Sequence, residues 1–388
     1  MSITFFYNRL SFYILVIFVL MLFIQLCIHW FRFSKLAFFK KKPRPKLDDE
    51  LEPVSVVVCA RDSYEQLTEL IPALLTQNYP QFEIVIVNDC SEDETEEYLK
   101  DLERREPRIK CVQLRQHLNF FNGKKFPLSM GIKSASHDLL VLTDADCLPS
   151  SEEWLRSMVS CYNPDTEVVL GYARYRANKR ITNKLIRYDA LQTGMIYLSA
   201  ALAGHPSIGT GKNLSYRKSL FFKNKGFTSH YTRPAGDDDV FINQVATKKN
   251  TRVCIDAENS ITATPTSSFW TWVRQRCNKY STIKLHRTDT RAMMALHYWS
   301  QFLFYGCFVA LFFLKPAFGI NSDIPYYGYY FPTLAALFLL RYLTQLILYR
   351  ATSRRLGEHG LLPGLIIWDT FFAVATPLFR ITGRMTKE

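Results

Sequence analysis

At 388 residues the chain has room for one large domain or two ordinary ones, and its formal net charge of +13 comes with 29 Phe and 21 Tyr. The 9 cysteines are odd in number and scattered without a C-x-x-C pair, so no disulfide or zinc framework is implied, and a reducing compartment fits. Mean hydropathy near zero hides a polar middle between two very apolar ends, so the average describes neither part.

Ser11 to Trp30 contains no acid, Lys or Arg and is long enough to cross a bilayer. A cleaved signal peptide would need a shorter apolar core and a small-x-small site, so a retained anchor is expected. Arg32, Lys35, Lys40, Lys41, Lys42, Arg44 and Lys46 follow at once and mark that side as cytoplasmic. Next to a span, such a cluster reads as lipid-headgroup contact rather than a nucleic-acid patch, and no nucleic-acid partner is expected. Lys40 to Pro53 then turns from basic to acidic, carries three prolines and reads as a linker.

The middle of the chain alternates strand and helix patterns. Val54–Ala60 is an apolar strand, Tyr64–Leu75 has helical spacing, and Glu83–Asn88 is a second strand. Ser91 with Glu94 three residues on has the form of a capping box. Ile109–Leu114 is a third strand, Lys125–Ala135 a helix, and Leu139–Thr143 an apolar β-prone run typical of a strand buried on both faces. This order argues for a mostly parallel α/β sheet covered by helices. Later the pattern weakens. Glu167–Tyr172 is a candidate strand, Arg174–Arg187 is a basic run, and Ser267–Arg287 resembles an interfacial amphipathic helix. His297–Leu314 and Tyr329–Tyr349 could each span, with Arg341 inside the second run. Leu361–Phe379 could span or form a re-entrant hairpin, because Pro363, Asp369 and Pro377 interrupt it. A full span there would leave Arg380, Arg384 and Lys387 outside, against the charge rule.

Four clusters carry chemistry. Asp144 and Asp146 end the fourth strand and, two apart on an extended chain, point the same way, so they could share a hard cation. Asp89 ends the second strand, where it could accept hydrogen bonds from a base or ribose or simply form an Asx turn. Asn122-Gly123-Lys124-Lys125 opens a helix whose N–H groups and lysines favour phosphate. Gly236-Asp237-Asp238-Asp239 sets three acids side by side, offering a base whose pKa is lifted by its neighbours or only compensation of a helix dipole.

In this order the motifs VSVVVCARD, VNDCSEDET, NGKKFPLSMGIKSA, DAD, GTGKNLSYRK and GDDD, from about Pro53 to Tyr280, resemble those of inverting family 2 glycosyltransferases with a GT-A fold. The resemblance implies that Ala60, Arg61 and Asp89 hold the nucleobase and that Lys124 or Lys125 helps hold the donor. Asp144 would bind ribose, and with Asp146 a Mg²⁺ or Mn²⁺ on the diphosphate. Lys212, Asn213, Gln275 and Arg276 complete the expected substrate-binding set. Asp238 would be the general base, with Asp237 as its catalytic neighbour. The chain departs from the family at Arg61-Asp62-Ser63, where Arg-Asn-Glu is common. It departs again at Gln275-Arg276-Cys277-Asn278-Lys279, where processive synthases carry Gln-x-x-Arg-Trp, and at Gly209-Thr210-Gly211-Lys212-Asn213.

The expected organisation is an N-terminal transmembrane anchor (1–31), a linker (32–52), the GT-A domain (53–266), an interfacial helix (267–290) and a C-terminal membrane region (291–388). The expected protein is a multi-pass enzyme of a bacterial inner membrane with its catalytic domain in the cytoplasm. It would move a hexosyl unit from a nucleotide-sugar, a UDP-sugar first, to a lipid-linked or glycan acceptor for envelope polysaccharide. The alternatives are a processive synthase of the same family, a nucleotidyltransferase and a non-catalytic membrane subunit.

Overall fold

The computed structural model describes residues 2–40, 51–115, 123–231, 233, 235–266, 268–314 and 327–385. Most of the basic-to-acidic linker (41–50) and Asn122 of the NGKK motif therefore lie outside the described residues.

Helix α1 (Ser2–Cys27) runs through a π-helical stretch, Ile28–Phe33, into α2 (Ser34–Ala37). After it come β1 (Val54–Ala60), α3 (Tyr64–Leu75), β2 (Phe82–Asp89), α4 (Thr95–Arg105), β3 (Ile109–Leu114), α5 (Lys125–Ser134) and β4 (Leu139–Asp144). Short elements follow: β5 (Cys147–Pro149), α6 (Trp154–Val159), β6 (Val168–Leu170) and β7 (Ala173–Tyr175). A long helix, α7 (Ile181–Leu202), leads to β8 (Leu214–Arg217), α8 (Lys218–Lys223), α9 (Asp239–Val245), β9 (Thr251–Val253) and β10 (Ile261–Ala263). The chain closes with α10 (Phe269–Ser281), α11 (Thr288–Phe313), α12 (Tyr327–Leu356) and α13 (Leu365–Met385).

Seven strands form one sheet in the order β3-β2-β1-β4-β8-β6-β9, and β5-β10-β7 form a second. The β3-β2-β1-β4 half is parallel throughout, and β8 is antiparallel to both β4 and β6. The continuous apolar runs of β1, β2 and β4 follow from burial on both faces. Val56, Val58, Ile84, Ile86 and Val141 enter one core cluster, while Val57, Val85, Leu140 and Leu142 enter the other with α5 and α7. Contact on the α5 side is close: a Cβ on Gly131 would meet Val57 and Val87 methyls at 2.7 and 2.8 Å.

Helix α7 departs from the expectation for its region. The basic run Arg174–Arg187 divides into β7, a loop and the first turns of a helix buried on nearly every side, including Tyr188, Leu191, Met195 and Tyr197. A helix surrounded by protein has no polar stripe to reveal its period. The expected capping box at Ser91 is also absent. Helix α4 starts at Thr95, and Asp93 accepts from its N–H at 3.1 Å and from Tyr64 N–H at 3.0 Å. Ser91 instead accepts from Asp62 N–H at 2.9 Å, which ties the loops after β1 and β2 together.

Among the described residues, four helical segments are long and apolar enough to cross a membrane: Leu10–Ala37, Thr288–Phe313, Tyr330–Leu356 and Leu362–Thr382. Phe18, Leu22, Phe304, Leu311 and Leu334 make the core between the first three. Arg341 does not snorkel. It pairs with Asp369 of α13 at 2.9 Å, both side chains 2% exposed. The fourth segment is a continuous helix rather than a hairpin, with Pro377 inside it. Just before it Glu358 pairs with Arg187 of α7 at 2.7 Å, and near its far end Thr382 meets Cys277 of α10 at 3.2 Å. Phe372 and Phe379 both pack on Trp272 of α10 in between. Helix α13 therefore lies along α10, and the segment just before it is tied to α7.

Candidate active site at the carboxyl edge of the sheet

Strands β1, β2 and β4 are in parallel register, with Ala60 opposite Asn88 and Cys59 opposite Asp144. Their C-terminal ends thus bring Ala60, Asp89 and Asp144 to one edge, the place where open α/β sheets bind ligands. A cleft of about 740 Å³ opens there, lined by Ala60, Arg61, Asp89, Lys124, Asp144, Asp146, Lys212 and Gln275. These eight are residues the sequence singled out. Ser63, Gln66, Tyr175 and the 264–266 loop line it as well. Tyr175 lay within the basic run, and 264–266 carried no signal at all.

The acid pair is the electrostatic centre. Lys212 Nζ lies 2.6 and 2.9 Å from the two oxygens of Asp146 and 3.2 Å from Asp144 Oδ2, while Lys124 pairs with Asp144 Oδ1. Burial opposes the charged form of Asp144, but the Lys124 and Lys212 ammoniums outweigh it and hold the carboxyl well below the usual range. Burial would likewise lower Lys124, yet Asp144 keeps it firmly charged.

Asp144, Asp146 and Cys147 bring possible ligand atoms within 4.8 Å of one another. Burial pushes the Cys147 thiol far above its ordinary range, and a soft sulfur is not the donor that a hard cation selects. That leaves two hard carboxylates, which suit Mg²⁺ or Mn²⁺. The Lys212 ammonium between them marks where a shared cation fits.

The acid triplet lies beside this cleft rather than among its lining residues. Gly236 turns the chain into it at φ +109°, where a Cβ would meet His230 and Val240 at 3.0 Å. Asp237 is pushed up to about 6 by burial and by the neighbouring Asp238, against the pull of Lys124. Asp238 caps α9: its oxygens accept from Asp239 N–H at 2.7 Å and Gly211 N–H at 3.0 Å. Asp239 turns away and is buried, accepting from Thr282 at 2.8 Å with His286 Nε2 at 3.3 Å. Burial would raise Asp239, but His286 and Thr282 together hold it below its ordinary value.

Three expected substrate-binding residues lie off the cleft. Lys125 is fully buried, and its Nζ donates to Ala235 O at 2.6 Å and to Arg233 O, fixing the loop that leads into Gly236. Lys124 alone of that pair faces the cleft, because adjacent residues at a helix start diverge by about 100°. Asn213 is buried beneath the sheet edge, accepting from Trp154 Nε1 at 3.1 Å and donating to Tyr172 O at 2.9 Å. Arg276 points to the other side of α10 from Gln275, pairing with Asp189 and donating to Thr193 at 2.9 Å.

Residues 55–223 match the family model described as Glycosyl transferase family 2. Curated relatives include the poly-beta-1,6-N-acetyl-D-glucosamine synthases of Staphylococcus epidermidis, 29% identical over 207 residues (50% of this chain, 48% of that protein), and of Staphylococcus aureus strain COL, 28% identical over 194 residues (49% and 46%). The matched segment thus spans about half the length of those relatives. Among solved structures, the mannosyltransferase PcManGT from Pyrobaculum calidifontis, in complex with GDP-Man and Mn²⁺, superposes with a TM-score of 0.61 at 16% identity. That likeness covers 96% of this chain and 99% of the other, and it is one of fold.

Proposed function

This chain carries a family 2 glycosyltransferase domain of GT-A fold, and from that premise we propose that it is a membrane-bound inverting glycosyltransferase of cell-envelope glycan synthesis. The observation that carries the reading is the convergence of Asp89, Lys124, Asp144, Asp146 and Lys212 on one cleft at the carboxyl edge of a parallel sheet. Its volume suits a nucleotide-sugar. Ala60, Arg61 and Asp89 receive the nucleoside, and Lys124 and Lys212 face the diphosphate. A divalent ion held by Asp144 and Asp146 would neutralise charge developing on the leaving group.

Asp238 takes the proton of the acceptor hydroxyl. In-line inversion needs the base opposite the leaving diphosphate, and Asp237 feels the charges of Lys124 and Asp144 on the diphosphate side. Asp238 faces the Gly211 loop instead and is held by two backbone N–H groups that leave lone pairs free for the proton. The acceptor is a lipid-linked or glycan hydroxyl, and the product linkage is β. The likeness to poly-beta-1,6-N-acetyl-D-glucosamine synthases supports a UDP-N-acetylhexosamine as the first donor to test.

The α/β domain faces the cytoplasm of a bacterial cell, with three spans crossing and α13 lying along the interface beneath α10. The Glu358–Arg187 pair just before α13 and the contact of Thr382 with Cys277 of α10 support this, and Arg380, over the Tyr298 ring at 5.3 Å, then stays inside. Full-length protein in lipid nanodiscs, screened against nucleotide-sugars, should release nucleoside diphosphate with at least one donor and lose that activity reversibly in EDTA. The absence of both turnover and UDP binding would refute the reading.

A further inference from the structure

Lys212 joins the two halves of the site. Its carbonyl accepts from Thr143 Oγ1 at 3.0 Å, beside Asp144 at the end of β4, and the preceding Gly211 N–H binds Asp238. The backbone is therefore pinned, while the four-carbon stem can move past the Tyr175 ring, 5.9 Å from Nζ. Nζ lies 2.6–3.2 Å from oxygens of both Asp146 and Asp144. An ion of the size of Mg²⁺ on those same oxygens would sit at about 2.0–2.1 Å from them. It would then share the space of the ammonium, and two cations that close repel strongly. Metal and ammonium are alternative occupants of the acid pair.

We propose that Lys212 is a resident counter-cation that closes the Asp144/Asp146 pair to metal until a nucleoside diphosphate enters and draws the ammonium onto its phosphate oxygens. The inference rests on the reading of Asp144 and Asp146 as the metal pair. It makes metal and diphosphate binding mutually dependent: each vacates or fills what the other needs, and linkage requires the coupling to be reciprocal. Without a donor the ammonium neutralises acids that would otherwise repel each other. With the donor in place it supplies a third cationic group to the diphosphate, beside Lys124 and the ion.

The test is Mn²⁺ binding to full-length protein in nanodiscs, read by the electron paramagnetic resonance of free Mn²⁺, with and without UDP. In the native protein UDP should tighten Mn²⁺ by about tenfold or more, within the usual range of coupling between sites. In Lys212→Met, Mn²⁺ should bind about tenfold tighter than native without UDP, and the gain from UDP should fall to about threefold or less. Lys212→Arg keeps the charge and should bind Mn²⁺ weakly without UDP, as native. Lys212→Gln replaces the Met variant if the latter is not monodisperse. If the neutral variant binds Mn²⁺ without UDP no tighter than native while Asp146→Asn abolishes binding, the inference about Lys212 is overturned and the metal pair stands. If Asp146→Asn leaves Mn²⁺ binding intact in the presence of UDP, the metal pair is misassigned and the inference falls with it.

Discussion

The Arg341–Asp369 cluster of the helical bundle and the Lys212–Asp144–Asp146 cluster of the cleft take opposite characters from their surroundings. In the membrane-proximal bundle, Asp369 accepts from Arg341 at 2.9 Å, Gln345 at 2.7 Å, Gln301 at 2.8 Å and Tyr305 at 2.7 Å, while Arg341 also reaches Gln25 of α1 at 3.1 Å. In the cleft, Lys212, Asp144 and Asp146 are 20%, 29% and 39% exposed and bind one another mainly through a single ammonium. The bundle cluster ties four helices at once, and every partner it lost would stay buried and unpaired. In the cleft, water, a metal or a diphosphate can replace any partner. Pairs buried among several donors fix a fold, whereas half-open ones can exchange partners and do chemistry.

The largest expected effect is at the cleft. Asp238→Asn should lower kcat by about 10²–10⁴-fold, the usual contribution of a general base. UDP affinity should change by less than about tenfold, or ~1.4 kcal/mol, because the proposed nucleotide contacts lie elsewhere. Steady-state rates beside UDP titrations check this. A native rate in Asp238→Asn with a dead Asp237→Asn would move the base to Asp237.

Next comes the bundle. Asp369→Asn should destabilise by about 3–5 kcal/mol, the cost of stranding one member of a buried pair. The double variant Arg341→Met/Asp369→Leu should recover only part of that, since it removes the stranded charge but leaves Gln25, Gln301, Gln345 and Tyr305 short of a partner. Unfolding in mixed micelles would read both. A double variant as unstable as the single one would mean that the pair itself, not its isolation, holds the helices.

A smaller effect separates the regions by pH. Asp237 is pushed from an ordinary 3.8 up to about 6 in the fold, so the folded protein holds a proton there that the unfolded chain has released. Its stabilising share is complete below pH ~4 and lost as pH rises through ~6, a change of about 1–3 kcal/mol at ~1.4 kcal/mol per unit. Stability measured from pH 4 to 8 should fall across that window in native protein and run flatter in Asp237→Asn. The smallest effect calibrates the rest. Asp101 and Arg105 form an i,i+4 pair on α4 with side chains 50% and 75% exposed, and Asp101→Asn should leave the melting midpoint unchanged within error.

Much of this was written locally. The apolar runs of β1, β2 and β4, each ending in or next to the residues that line the cleft, announce a parallel sheet because burial on both faces favours near-continuous apolar strands. Asp144 ends β4, but Asp146 lies in the turn before β5, so that turn and the shared Lys212 ammonium, not strand alternation, bring the two acids together; the spans follow from length and apolarity alone. Other features needed the packed chain. Helix α7 has no exposed stripe, so its sequence showed only its basic entrance. Lys124 and Lys125 are chemically alike, and only the loop at Ala235 decided which one is buried as an anchor and which faces the cleft. Asn213 and Arg276 were drawn inward by Trp154 and Asp189, partners 59 and 87 residues away. Arg341 found its counter-charge 28 residues on, and α13 returned along α10 although its composition would also suit a crossing. Periodicity and hydropathy act within a few turns of chain and can be read there. The partner of a buried charge, and the direction of a helix whose apolarity suits both lipid and protein, depend on which distant surfaces the fold brings against it.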